Sequence, residues 1–389
     1  MAADGGKDHF GDLTDDLLQH VLSFMPEDDA LQTCVLVTRW RGLWRHTTSL
    51  RFNLDDWSSF PTCERFEQLV KFIIHLRGNS PLAKCEINVY PDESLYANTK
   101  LLLEYALNCQ VEELLLEAGD IEDKPLVLNT PLISQHLKIL HLEQVTLECY
   151  ALNFSGCPVL EDLKMMQCGI SAWSISSESL KHLSITDDCT TPLYFHIRIS
   201  APNLNLLQLE DFDGLTPFLE SMPLLETAHV ELGRSCHDFC NSQGNCQTHK
   251  CGCHDYPDGG VLLNGLSNAV NLELIAEPEM FIYRWDLAWG PTFGKLKTLV
   301  LNEWFTAVDL VCILQQSPIL EMLTLMLSNT EKLVGGAQLT IQKSCLCVRL
   351  KVVTIECGRV DEGVHKILNI LATCGIHHEK ISIKLPGSH

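Results

Sequence analysis

LEDLKMMQCGISAWSISSESLKHLSITDDCTTPLYFHIRISAPNLNLLQL, residues 160–209, writes one short pattern three times. An apolar residue is followed three and five positions later by two more: Leu160/Leu163/Met165, Leu180/Leu183/Ile185 and Leu204/Leu207/Leu209. The last two of each trio stand two apart, so on an extended strand they project to the same side. A single trio carries little weight. Upstream, however, the pattern returns at Leu82/Cys85/Ile87, Val111/Leu114/Leu116 and Leu137/Leu140/Leu142. Downstream it returns at Leu225/Ala228/Val230, Ala269/Leu272/Leu274, Leu296/Leu299/Leu301, Leu320/Leu323/Leu325 and Leu350/Val353/Ile355. The usual interval is roughly 20 to 30 residues. A chain that lays down one inward-facing strand per interval can bury it only against the neighbouring strands. The expected fold is therefore α/β, a stack of parallel strands with helical or irregular returns.

That interval is the period of leucine-rich repeats, and uneven spacing predicts an irregular solenoid with a curved parallel sheet. Pro or a small polar residue precedes many trios, as in Cys157-Pro158, Ala201-Pro202, Met222-Pro223 and Ser317-Pro318, which reads as a turn into each strand. Leu215–Glu220 and Val308–Leu314 read as short returns. On each strand the residue between the two inward positions faces outward. Those residues are Leu115, His141, Lys164, Ser184, Gln208, His229, Glu273, Val300, Thr324 and Thr354. Their mixed polarity suits a specific protein or small-molecule partner, with His141, Lys164, Gln208, His229 and Glu273 as candidate contacts.

Before the repeats, residues 13–44 read LTDDLLQHVLSFMPEDDALQTCVLVTRWRGLW. Thr14 suits a helix N-cap, with Asp15 and Asp16 at the positive end of the helix dipole. Leu17, Leu18, Val21, Leu22 and Met25 recur at helical spacing until Pro26. Asp28 or Asp29 is placed to cap a second helix, and Arg39–Trp44 supplies a third. So small a unit seldom folds on its own core, and its apolar faces need a neighbour.

Those residues resemble the F-box of plant F-box proteins. The likeness rests on Leu13, Asp15–Leu18, Val21–Pro26, Asp28–Ala30, Thr33–Leu36 and Arg39–Trp44. Two positions depart from the family pattern. Leu13-Thr14 stands where Leu-Pro is usual, and Val37-Thr38 stands where Ser-Arg usually precedes Arg-Trp. The resemblance implies a substrate-recruiting subunit of an SCF-type ubiquitin ligase, without catalytic residues or cofactor. Its F-box would dock on a Skp-family adaptor, and through it a cullin, by Leu13, Leu17, Leu18, Val21, Leu22, Pro26, Leu36, Trp40 and Trp44. With the repeats, the resemblance to plant F-box/leucine-rich-repeat proteins covers nearly the whole chain. Residues 350–385 read as strand, turn, amphipathic helix and final strand, similar to the FBD-type end of such proteins and suited to capping a solenoid. The domain reading is a flexible terminus at 1–12, an F-box at 13–48, repeats at 49–349 and the FBD-like cap at 350–389. Ser49–Leu54 is expected as a strand and Arg65–Arg77 as an amphipathic helix.

One interval, from Leu225 to Ala269, is nearly twice the period. Within it, at 233–260, lies a segment rich in Cys and His. Cys236, Cys240, His249 and His254 are donor types that zinc prefers, but no CxxC occurs and the spacing is short for a finger. The stretch reads as an inserted surface loop, the alternative being a zinc knuckle. No nucleophile elbow, P-loop, dinucleotide fingerprint or HExxH is present.

Of 389 residues, 46% are hydrophobic and 20% charged, a globular composition, and the formal charge is −22. That sign disfavours nucleic acid or an anionic membrane as partner, since both demand a basic patch. The polar N-terminus lacks a signal-like apolar region, no apolar run reaches membrane-helix length, and the 18 Cys read as buried thiols. A nuclear or cytoplasmic location is the expectation. Two other readings remain open: a repeat scaffold whose box no longer meets a ligase, and a metal-dependent sensor or enzyme built on the Cys/His segment.

Overall fold

The computed structural model describes residues 13–36, 39–53, 63–89, 93–119, 125–148, 152–238, 260–277, 280–328 and 349–385. Val37, Thr38, Cys240, His249 and His254, and the side chain of Leu36, lie outside the described residues. Two compact units divide the chain, one formed by 1–146 with 156–162 and the other by 147–155 with 163–389.

In the first unit, α1 (Asp15–Leu22), α2 (Glu27–Leu36) and α3 (Trp40–Leu43) precede β1 (Ser49–Asn53). Helix α2 starts one residue after Pro26, so Asp28 and Asp29 sit inside it rather than capping it. The fixed φ of proline is already helical, and Pro26 O accepts the Ala30 N–H at 2.9 Å. Next come α4 (Cys63–Arg77), β2 (Lys84–Val89), α5 (Glu93–Asn108), β3 (Glu113–Ala118) and β4 (Ile139–Glu143). Strands β1 to β4 pair in chain order, all parallel. Helix α4 buries Phe66, Val70 and Ile73, spaced four and three apart as one helical face requires. It packs against α5, which the sequence reading did not anticipate.

The second unit carries β5 (Asp162–Met166), β6 (His182–Thr186), β7 (Leu206–Leu209), β8 (Thr227–Leu232), β9 (Asn271–Ala276), β10 (Thr298–Asn302), β11 (Met322–Leu327), β12 (Val352–Cys357) and β13 (Ile381–Lys384). They lie side by side in that order in a large parallel sheet. Every expected trio became a strand, and its apolar members are buried. The two flanking strands read from sequence, β1 and β13, are present as well. Short strands at 152–153, 174–176, 198–200 and 218–219 form a second parallel sheet behind the middle repeats. The return at Leu215–Glu220 therefore holds a strand. Two- and three-residue strands are too short to leave a periodic signature. Later returns are helical: α6 (Leu263–Leu266), α7 (Ile282–Ala288), α8 (Ala307–Gln316) and α9 (Glu362–Thr373). Thr306 and Asp309 close a reciprocal capping box at the start of α8. Among the described residues no helix is long and apolar enough to cross a membrane.

Backbone geometry fixes how each repeat begins. Cys157 O accepts from Leu160 N, Ala201 O from Leu204 N, Met222 O from Leu225 N and Ser317 O from Leu320 N, at 3.1–3.2 Å. These are β-turns with proline at the second position, where its φ is preset. One carbonyl per repeat then accepts two N–H groups from the next. Asn205 O takes those of Glu226 and Thr227, Glu226 O those of Val270 and Asn271, and Glu321 O those of Lys351 and Val352. This ladder repeats the same main-chain junction at the start of successive strands.

Helix α6 approaches the strand at 218–219 so closely that only glycine fits. A Cβ on Gly265 would lie 2.4 Å from Leu219 Cβ and 2.9 Å from Leu219 O. Gly265→Ala is expected to push α6 off that strand and lower stability by about 2 kcal/mol, the usual scale of overpacking. Urea denaturation of the two proteins checks this; equal midpoints would refute it.

Candidate functional site

Thr14 caps α1 as its sequence suggests, its hydroxyl accepting from Leu17 N. The helix has two apolar sides. Leu18 and Leu22 are 0% and 2% exposed, packed into the unit's own interior. On the other side Leu17, Val21 and Phe24 remain 51%, 39% and 57% exposed, four and three residues apart and so on one face.

A buried polar frame supports this arrangement. The Trp44 indole N–H donates to Glu27 Oε2 at 2.8 Å, and Glu27 Oε1 accepts from Arg51 N. Arg77, at the end of α4, donates to Trp44 O, Thr47 Oγ1 and Thr47 O at 2.7–3.0 Å. At the surface, Arg39 joins Asp15 at 2.7 Å and reaches Leu13 O. Of the nine residues the sequence offered for docking, Leu18, Leu22, Trp40 and Trp44 are buried by the chain itself. They cannot meet a partner in this conformation, because α1 packs them against α3 and the turn at 44–46, which α2 and α4 flank in turn. Leu13 and Pro26 are half-buried, and Leu17 and Val21 are available. Phe24 joins them, although only its place in the motif hinted at that. Its ring meets His20 edge-on and lies under the Arg51 guanidinium.

On the sheets, the outward residues are half-buried between buried neighbours, as alternation requires. His141 in the first unit lies 3.5 Å from Asp162. In the second unit Lys164 lies on β5, and Gln208, His229 and Glu273 are matched across β7, β8 and β9. His229 Nδ1 is 2.9 Å from Glu273 and Nε2 is 3.2 Å from Glu210, with Glu231 at 3.8 Å. Only the doubly protonated ring donates to both Glu273 and Glu210 at once. Gln208 donates to Glu210 at 2.6 Å and accepts from Ser184.

Acidic groups crowd the same face. Burial, together with the repulsion of Asp188, Glu210 and Asp187, raises the Asp211 carboxyl above its ordinary range. Burial and then Asp211 do the same to Glu231, partly offset by His229. A carboxyl raised in the folded state binds protons more readily there than in the unfolded chain. Its charged form therefore costs stability, and the cost grows as pH rises from about 4 toward neutrality. Asp211→Asn should raise the melting temperature at pH 7 by on the order of 1 °C, the gain being small because the group is exposed. At pH 4 it should change nothing; a gain of equal size at both pH values would contradict the account.

Cys236 is buried, with its thiol 3.6 Å from Thr216 Oγ1 and 3.8 Å from Asp238 Oδ2. Burial, then Asp238, pushes it up to about 12, so it is a thiol rather than a thiolate at neutral pH. Among the described residues no group of three or more His, Cys, Asp or Glu is arranged to hold a metal ion.

No family model matches the chain. Similar proteins are nonetheless numerous, and those named here come from Arabidopsis thaliana. An FBD-associated F-box protein is 29% identical over 251 residues, which span 58% of this chain and 57% of that relative. An F-box/FBD/LRR-repeat protein is 29% identical over 263 residues, spanning 59% and 57%. A second is 23% identical over 386 residues, spanning 90% of this chain and 86% of its own length. The chain is a homologue of the plant F-box/FBD/LRR-repeat proteins. For two of these relatives the match covers less than three fifths of their length. Among the described residues of this F-box/FBD/LRR homologue, the outward strip formed by Leu17, Val21 and Phe24 and the outward sheet positions are two surfaces open to solvent.

Proposed function

We propose that the protein is a substrate-recruiting subunit of an SCF-type ubiquitin ligase. Helices α1 to α3 are its F-box, and the strip Leu17, Val21 and Phe24 docks on a Skp-family adaptor. The observation that carries this reading is that strip: three large apolar side chains left in water beside a well-packed interior. A small helical unit that fills its own core and still presents an apolar ridge is built for a helix-in-groove partner. Homology to proteins named for their F-box supports it. The leucine-rich repeats would then choose the target through outward positions such as His229 and Glu273. Proximity is the mechanism. A target held beside a charged ubiquitin-transfer enzyme presents its lysines at high effective concentration, with no catalytic group needed on this chain. Co-expression with a Skp-family adaptor and cullin is the test. Co-elution supports the reading, and separate elution at micromolar concentration rejects it.

A further inference from the structure

The residues that lead into β11, β12 and β13 line a cavity of about 560 Å³ whose side chains are Glu321, Arg349, Leu350, Lys351 and Lys380. Three cations and one carboxylate meet there, in a chain whose formal charge is −22. The carboxylate is already engaged, since Lys351 Nζ lies 2.6 Å from Glu321 Oε2. Lys380 Nζ donates to Leu350 O at 2.7 Å. An ammonium has three donors, so each lysine keeps two for a ligand, and the exposed Arg349 adds its planar fork. Lys351 holds the Glu321 carboxyl below the usual carboxylate range, with Lys297 and Arg349 adding to the effect.

We propose that this cavity binds a phosphate monoester. A dianion with three terminal oxygens can occupy the guanidinium fork and two ammoniums together, whereas a monocarboxylate leaves one cation unmatched. The acidic remainder of the chain repels an extended polyanion, which restricts the ligand to a compact group. Two sources carry that group: a phosphorylated side chain of a protein and a free phosphate ester.

Calorimetric titration of the full chain at low salt tests the site with three probes: inorganic phosphate, acetyl-Gly-phosphoserine-Gly-amide and its unphosphorylated twin. Saturable one-to-one binding of the phosphorylated probes is expected, with none of the twin. Arg349→Gln should weaken binding about tenfold, the scale of one charge-assisted contact. Glu321→Gln, which removes the one carboxylate among the described lining residues, should strengthen it several-fold. Both side chains are at least partly solvent-exposed, so unchanged melting temperatures are expected for the variants. Tighter binding of the phosphotripeptide than of inorganic phosphate assigns the site to phosphorylated protein, and equal binding assigns it to free esters. Absence of saturable binding, equal binding of the twin, or indifference to both substitutions overturns the proposal.

Discussion

Leu17→Asp combined with Phe24→Asp is expected to lower affinity for a Skp-family adaptor at least about a hundredfold while leaving the fold intact. Each of the two side chains buries on docking an area worth about 1.5–3 kcal/mol, so losing both removes two or more decades of affinity. Placing a carboxylate in an apolar groove adds a further penalty. Both positions are more than half exposed in the free chain, so neither substitution opens a cavity. Leu18→Asp, by contrast, places a charge where the native side chain has no exposed surface and destroys the unit along with the docking. The comparison separates a docking residue from a packing residue. Surface plasmon resonance against immobilised adaptor, paired with thermal melts, reads both. Wild-type affinity in the double variant would exclude this strip as the adaptor face.

Asp286→Ala should cost the second unit about 4 kcal/mol, more than any single surface change discussed above. The carboxylate sits on α7, 2% exposed, and accepts from Val261, Leu262 and Leu263 N at 2.6–2.9 Å. It thereby satisfies the N–H groups that open α6, a helix too short to hold itself together. Alanine would leave three donors buried without an acceptor, each at a cost of roughly 1–3 kcal/mol. Asn keeps one acceptor but turns an NH2 toward the same donors, so it should lose about half as much. Burial raises this carboxyl despite its three hydrogen bonds. A raised folded-state value means that ionisation of Asp286 subtracts stability as pH rises, so the wild-type advantage over Asn should be smallest at neutral pH and grow toward pH 4. Denaturant titration at the two pH values measures it, and a loss below 1 kcal/mol for Ala would show that water enters to replace the carboxylate.

The strands were legible because the trio encodes them locally: Leu163 and Met165, or Leu323 and Leu325, need no distant information to declare an inward side. Helix α9 was equally readable from its amphipathic spacing, and the Asp361 side chain that caps it accepts from Val364 N. The exposed face of α1 was not. Helix α1 is apolar on two sides, and which one the chain keeps is decided by α3 and the turn at 44–46, against which it packs. Arg77 locks onto Thr47 from thirty positions away, a link that periodicity cannot carry. Helix α5 was missed although Leu95, Thr99, Leu102 and Ala106 share one buried face, because the run Leu101-Leu102-Leu103 blurs the period. The His229 network depended on register: His229 pairs with Gln208 and Glu273, and only that alignment brings Glu210 and Glu231 to one ring.

Between β8 and β9 the chain departs for a long excursion, yet Thr227–Leu232 and Asn271–Ala276 pair residue for residue on return. The doubly accepting carbonyl of Glu226 secures the re-entry, and His229 meets Glu273 across the same joint. An insertion placed between two such strands consequently leaves the pairing of the strands downstream unchanged, because each strand takes its register from its own immediate neighbour. A repeat protein with such joints can acquire or discard whole loops while its scaffold stays in register.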